Sequence, residues 1–215
     1  MANVVSGPAT GYSGTVGGVT YSQQPNGAPT TAKQKNKKSD KPLTPGQLSV
    51  CMDTAITAAF IKSIENFAKA GYAIQAKKDR MNQHNSMVRY MRATALTGVY
   101  PERKIDFPRL LVSKGEMPAP RDVTVTVNEF GFVFTWNPET NIKAVHYSDQ
   151  IMLLAYFPEL NSGESHIGGA QRYIGKDLLA LSGVEHGYVA EIYISFIAND
   201  RSSVSNSIYL GQLTW

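Results

Sequence analysis

From residue 44 to residue 97 the apolar positions recur at helical spacing, and from residue 122 onward they recur at every second position. Ahead of both lies a stretch with little apolar pattern. The helical part opens on "LTPGQ", in which Thr44 suits the N-cap, Pro45 the first helical position and Gln47 the reciprocal half of a capping box. Leu48, Met52, Ile56, Phe60, Ile64 and Phe67 then fall at spacings of four, four, four, four and three, which is one apolar stripe. Gly71 is placed to bend or end that helix. A second run, about 73–97, carries Ile74, Met81, Asn85, Val88, Met91 and Ala95, before Gly98 and Pro101 stop it. Two amphipathic helices joined this closely predict a helical hairpin over residues 44–98. An Asn85 buried on that stripe would need partners for its amide.

After a Pro-rich connector, residues 99–120, with a short extended run at 109–113, the period changes to two. Val123, Val125 and Val127 alternate with threonines, "NEFG" turns the chain, and Phe132, Phe134 and Trp136 alternate on the return, which predicts a hairpin with an aromatic inner face. "IMLLAYF" (151–157) is continuously apolar, as a strand covered on both faces should be. "YVAEIYISFIA" places Ile192, Ile194 and Phe196 on one face, and "SNSIYLGQL" reads as the closing strand. Six or seven short strands with Trp136 on an early one predict an immunoglobulin-like or fibronectin-like antiparallel β-sandwich over residues 121–215. The fold class is therefore α+β.

Residues 1–43 read as an extended Gly/Pro/Lys-rich arm. Val19 and Tyr21 alternate with Gly18, Thr20 and Ser22, enough for one short strand, and a lone strand must add to another sheet. Gly14, Gly17 and Gly18 permit close backbone approach or mark a bulge. Residues 23–42 hold three prolines, five lysines and no apolar residue larger than alanine, the composition of a linker. Fully extended, such a segment reaches about 65–70 Å.

Composition constrains the rest. With 215 residues the chain buries roughly 70 % of its unfolded surface, so no metal or disulfide is needed to hold it. The one cysteine, Cys51, excludes an internal disulfide and reads as a buried, inert thiol. No segment is long and apolar enough to span a membrane, and the N-terminus lacks the pattern of a signal peptide, so cytoplasmic synthesis is expected, which is compatible with later release inside a particle. Charge is uneven: residues 1–120 carry 16 Lys and Arg against 7 Asp and Glu, residues 121–215 carry 5 against 10. Such a bipolar chain attracts copies of itself head to tail, or offers its basic half to phosphate.

Little points to catalysis. His84, His146, His166 and His186 stand apart from one another at spacings that suit no metal site. His146 lies near Asp149 across a turn, and His166 near Glu164 in what reads as a glycine-rich loop, but no nucleophile context accompanies either. "SGES" at 162–165 reads as loop, and "NDRSS" at 199–203 as a hairpin turn lacking the alternating carboxylates of a calcium loop. No catalytic residue, cofactor or metal is expected. Lys33, Lys35, Lys37, Lys38 and Lys41 form a basic cluster without interleaved aromatics; five phosphate contacts would give a salt slope of roughly −4 to −5. Aromatic residues on a sandwich could also hold sugar, although those placed by the pattern fall mostly on inward positions.

The elements Thr97-Gly98, Tyr100-Pro101, Ile105-Asp106 and Leu111-Val112-Ser113-Lys114-Gly115 resemble those of an uncharacterised Bacteroidota family of proteins of about this length. The resemblance extends to an "SGxVG" start at Ser13–Gly17, a basic stretch, the "TPxQ" helix start at Thr44–Gln47 and an "SNSxYxG" ending at Ser205–Gly211. It implies the same architecture and supplies no catalytic residue.

Taken together, these features lead to the expectation of a non-enzymatic assembly subunit, such as a bacteriophage virion component, whose arm adds Val16, Val19 and Tyr21 to a neighbour's sheet, with Lys33, Lys35, Lys37, Lys38 and Lys41 as accompanying contacts. The partner is then protein, itself or another subunit, and no membrane. A nucleic-acid-associated protein anchored by those lysines, and a carbohydrate- or surface-binding sandwich module, are the alternatives.

Overall fold

A computed structural model describes residues 2–4, 11–23, 30–34, 42–138, 141 and 145–215. The chain forms two compact units, Met1–Leu43 and Thr44–Trp215.

In the first unit a small sheet replaces the expected extended arm. Strands β1 (Ala2–Val4), β2 (Gly14–Val16), β3 (Val19–Ser22) and β4 (Thr30–Gln34) pair antiparallel in the order β1-β4-β3-β2. The strand expected to be alone, β3, thus lies between two partners of its own chain. Gly17 and Gly18, at φ 57° and 81°, are the two-residue turn joining β2 to β3, a conformation that demands left-handed backbone at both positions. Within the segment read as linker, Thr30–Gln34 is a strand because it is hydrogen-bonded on both sides, which compensates for its weak apolar content.

The second unit begins with α1 (Pro45–Ser63). Thr44 and Gln47 form the predicted capping box: Gln47 N donates to Thr44 Oγ1 and Thr44 N to Gln47 Oε1 at 2.9 Å. Four helices occur where two are expected. The first run bends at Ile64 into α2 (Glu65–Gly71), and at Tyr72 it passes into α3 (Ala73–Asp79), the start of the second run, while the backbone ladder continues through Ala68 N→Ile64 O and Tyr72 N→Ala68 O. The second run is cut at Arg80, which adopts φ 55°, and restarts as α4 (Gln83–Thr94) under an Asn82 cap that accepts from Asn85 N at 2.7 Å. This restart resets the helical phase. Ser86, Met87 and Met91 are buried, while Met81 and Asn85 are exposed. Cys51 also departs from expectation: it is exposed on α1, a third of a turn away from Met52 of the apolar stripe.

β5 (Leu96–Thr97) and β6 (Lys104–Ile105) form a minimal ladder, and a 3-10 turn at Phe107–Arg109 precedes Leu110, whose backbone is extended as expected for the 109–113 run. Two sheets follow. The hairpin β7 (Thr124–Asn128) and β8 (Gly131–Thr135) is joined by β11 (Lys176–Ala180) in the order β11-β8-β7. The other sheet has the order β10-β9-β12-β13, built from β9 (Gln150–Phe157), β10 (Ser162–Gln171), β12 (Val189–Ile197) and β13 (Ile208–Thr214). All pairs are antiparallel. β10 contains the "SGES" segment and His166, both expected in loops. As an edge strand it tolerates Ser and Gly, and a register shift between Ile167 and Gln171 accommodates Gly168 and Gly169.

The four-stranded sheet is the middle layer. Ile151, Leu153, Ala155 and Phe157 of β9 with Ile192, Ile194 and Phe196 of β12 pack against Phe132, Phe134 and Trp136. Met152, Leu154, Tyr156 and Tyr193 face the other way, onto Phe60, Ile64, Phe67, Met87 and Met91 of the helices. The unbroken apolar run 151–157 is the consequence of covering on both faces.

Candidate interaction surface

The register of the N-terminal sheet sorts its residues. Val16 is opposite Val19, and Tyr21 is flanked by Gly14 and Ala32, so period two places Val16, Val19, Tyr21 and Ala32 on one face. Thr15, Thr20, Ser22, Thr31 and Lys33 occupy the other. There Thr15 Oγ1 and Thr20 Oγ1 lie 3.0 Å apart and Thr31 donates to Ser22 O at 3.3 Å. The three apolar residues expected to meet a partner are brought together, and Lys33 is separated from them. Lys35, Lys37, Lys38 and Lys41 lie outside the described residues.

Among the described residues this unit contains one sheet and no helix; at one end of the apolar face Thr30, two positions from Ala32, is buried and accepts from Gly11 N at 3.0 Å, while the other end is open. Val16 is 68 % exposed, and Val19 and Tyr21 are half-buried. Strand β2 is also a sheet edge, with one side of its backbone unpaired by any strand. Among the described residues the arrangement offers an apolar face and a β-edge.

Several polar groups of the second unit are hydrogen-bonded within the fold. No group of three or more His, Cys, Asp or Glu among the described residues could hold a metal ion. His166 Nδ1 lies 3.5 Å from Asp177 Oδ2, an oxygen that already accepts from Ala170 N at 2.8 Å, and His146 Nδ1 is 2.6 Å from Ser148 Oγ. Glu191 is buried on β12, where Tyr209 Oη donates to Oε2 at 2.6 Å and Gln212 Nε2 to Oε1 at 2.9 Å. Burial, then the hydrogen-bonded Glu191 carboxylate, push the Tyr209 hydroxyl pKa well up, so it stays a donor. Tyr209→Phe should cost about 1–3 kcal/mol in urea unfolding, because a buried carboxylate oxygen loses its donor.

The connector ahead of β7 and the connection between β12 and β13 meet in a hydrogen-bonded clasp that is buried at Val112, Ser113, Ser205 and Ser207. Val112 N donates to Ser207 Oγ at 2.9 Å, Ser113 Oγ to Ser205 O at 2.9 Å, Gly115 N to Asn206 Oδ1 at 3.1 Å, and Ser207 N to Ser113 O at 3.1 Å. Lys114 N extends it to the helices by donating to Gly71 O at 3.0 Å. At Gly115 a Cβ would collide with the backbone oxygen of Val204, so Gly115→Ala should lower the thermal midpoint, with a cost of about 1–3 kcal/mol.

Residues 11–211 match the model of a family of unknown function, DUF6266. The chain belongs to this family. The DUF6266 match begins just before β2 and ends within β13, so it spans both the N-terminal sheet from β2 onward and the clasp. No curated protein and no solved structure matches the chain. Leu111–Gly115 and Ser205–Gly211, two of the elements on which the sequence resemblance rests, contain the two halves of the clasp in this DUF6266 chain.

Proposed function

We propose that the chain is a non-enzymatic structural subunit of a large assembly, such as a bacteriophage virion in which it would serve as capsid decoration, fibre or tail component, and that its N-terminal unit engages neighbouring copies. The observation that carries this reading is the small N-terminal sheet that holds Val16, Val19 and Tyr21 on one face and leaves Val16 68 % exposed. Units of about 40 residues rarely supply their own core, and a single sheet needs a covered face. Each large apolar side chain covered by a neighbour would contribute up to about 1.5–3 kcal/mol, offset by the cost of ordering. The charge division supports head-to-tail contact, with the basic residues 1–120 of one copy complementing the acidic residues 121–215 of the next.

The body then serves as a platform. We read its C-terminal layers as a fibronectin-like variant of the immunoglobulin sandwich. In a constant-type immunoglobulin domain the fourth strand joins the sheet of the first, second and fifth. Here the fourth strand, β10, pairs instead with the third, β9, while the seven-strand count and the buried Trp136 support the wider class. The Bacteroidota affiliation belongs to the same proposal.

Light scattering of the full chain and of a chain starting at Thr44 tests the reading. The full chain should exceed its monomer mass as concentration rises, and the shortened chain should not. Monomer mass for both at every concentration and salt would overturn it. Salt-steep DNA binding by a persistently monomeric full chain would put the nucleic-acid reading in its place.

A further inference from the structure

One end of the sandwich gathers three turns distant in sequence: 145–149 ahead of β9, 172–175 between β10 and β11, and 198–203 between β12 and β13. Alternate connections of an antiparallel sandwich share an end, and such ends are where sandwich domains carry binding loops. A buried framework fixes these turns. Arg172 N donates to Asp149 O at 2.7 Å, its Nε lies 3.3 Å from Asp149 Oδ2, and its guanidinium carbon sits 3.7 Å from the centre of the Phe196 ring. Asp149 Oδ2 also accepts from His146 N at 3.0 Å.

On this base three large side chains stand in solvent: Tyr147 at 57 %, Tyr173 at 53 % and Ile174 at 52 % exposure. The two tyrosine rings are 6.3 Å apart, and His146 packs on Tyr147 at 4.4 Å. His146 is also one wall of a cleft of about 360 Å³, whose other walls include Ser148, Asn199, Asp200 and Ser202. Asp200 is held by Ser202 N, which donates to Oδ1 at 2.9 Å, and a carboxylate retains further acceptor capacity. Aromatic rings of low conformational entropy beside serine, asparagine and aspartate are the composition of a recognition surface. The pattern of alternating residues could not reveal it, because Tyr147 and Tyr173 lie in turns.

We propose that this end of the sandwich binds a neutral saccharide. Tyr147 and Tyr173 receive the C–H faces of the sugar rings, and Asn199, Asp200 and Ser202 hydrogen-bond the hydroxyls. The cleft volume falls at the lower end of the range of small-molecule sites, which suits one or two sugar rings. The carboxylate of Asp200 and the acidic excess over residues 121–215 select against polyanions.

Saturation-transfer NMR on the full chain tests this with cellohexaose, laminarihexaose, maltohexaose and mannohexaose, each at millimolar concentration. Transfer to at least one is expected. Tyr147→Ala and Tyr173→Ala should each weaken that binding about tenfold, while Phe130→Ala, in the β7–β8 turn at the opposite end, leaves it unchanged. Thermal melts confirm that the variants fold; should either alanine variant fail to fold, Asn199→Ala replaces it, with the same loss expected. Absence of transfer to all four sugars, or binding unaltered by the folded variants, overturns the proposal.

Discussion

Asp149→Ala should destabilise the second unit by about 3–5 kcal/mol, the largest loss expected from any single side chain outside the apolar core. Asp149 and Arg172 are both buried, and desolvation already lowers the Arg172 pKa against the opposing effect of Asp149. Without the carboxylate, the guanidinium would remain enclosed with only Pro118 O, at 3.1 Å from Nη2, and the Phe196 ring for company. The loss would spread, since Arg172 O accepts from Trp136 Nε1 at 2.8 Å and Trp136 packs edge-on against Phe196 at 5.8 Å. Asp149→Leu with Arg172→Met should recover most of the stability, because two apolar groups need no mutual neutralisation. Urea midpoints with an unchanged slope would separate this from an altered denatured state.

Val19→Asp combined with Tyr21→Asp should reduce the assembled chain to monomers while leaving the melting of residues 44–215 unchanged. Both residues lie on the apolar face of the N-terminal sheet, in the strand at its centre, so two carboxylates would have to be desolvated beneath any covering subunit. Thr20→Asp with Ser22→Asp, on the opposite face of the same strand, is the matched control and should retain assembly. The contrast reads out which face is covered, and strand propensity affects both pairs alike.

How much of this was visible in the residues depended on whether the relevant contacts are local. The capping box at Thr44, the hairpin with Phe132, Phe134 and Trp136 inward, and the doubly covered run 151–157 each follow from signals within a few positions. The break at Arg80 and Asn82 was legible only as a cap, since the apolar spacing runs through it and suggests the wrong buried face. The N-terminal sheet was hidden because its strands are three to five residues long, rich in Thr and poor in large apolar residues; β1 and β4 are defined by pairing across about thirty residues. The clasp shows the same limit differently. Both of its halves stand out as motifs, yet the hydrogen bond joining Val112 to Ser207 spans 95 positions. Of the eight residues expected at the interaction surface, Val16, Val19 and Tyr21 share a face, Lys33 is on the other, and four lie outside the described residues.

The most direct measurement is hydrogen exchange of the Val19–Ser22 amides in the full chain, followed from dilute to concentrated solution alongside light scattering. If, as proposed, a neighbour covers this small sheet, protection should rise as mass rises and fall away in the dilute monomer. Full protection of these amides at a concentration where the chain is demonstrably single would contradict it.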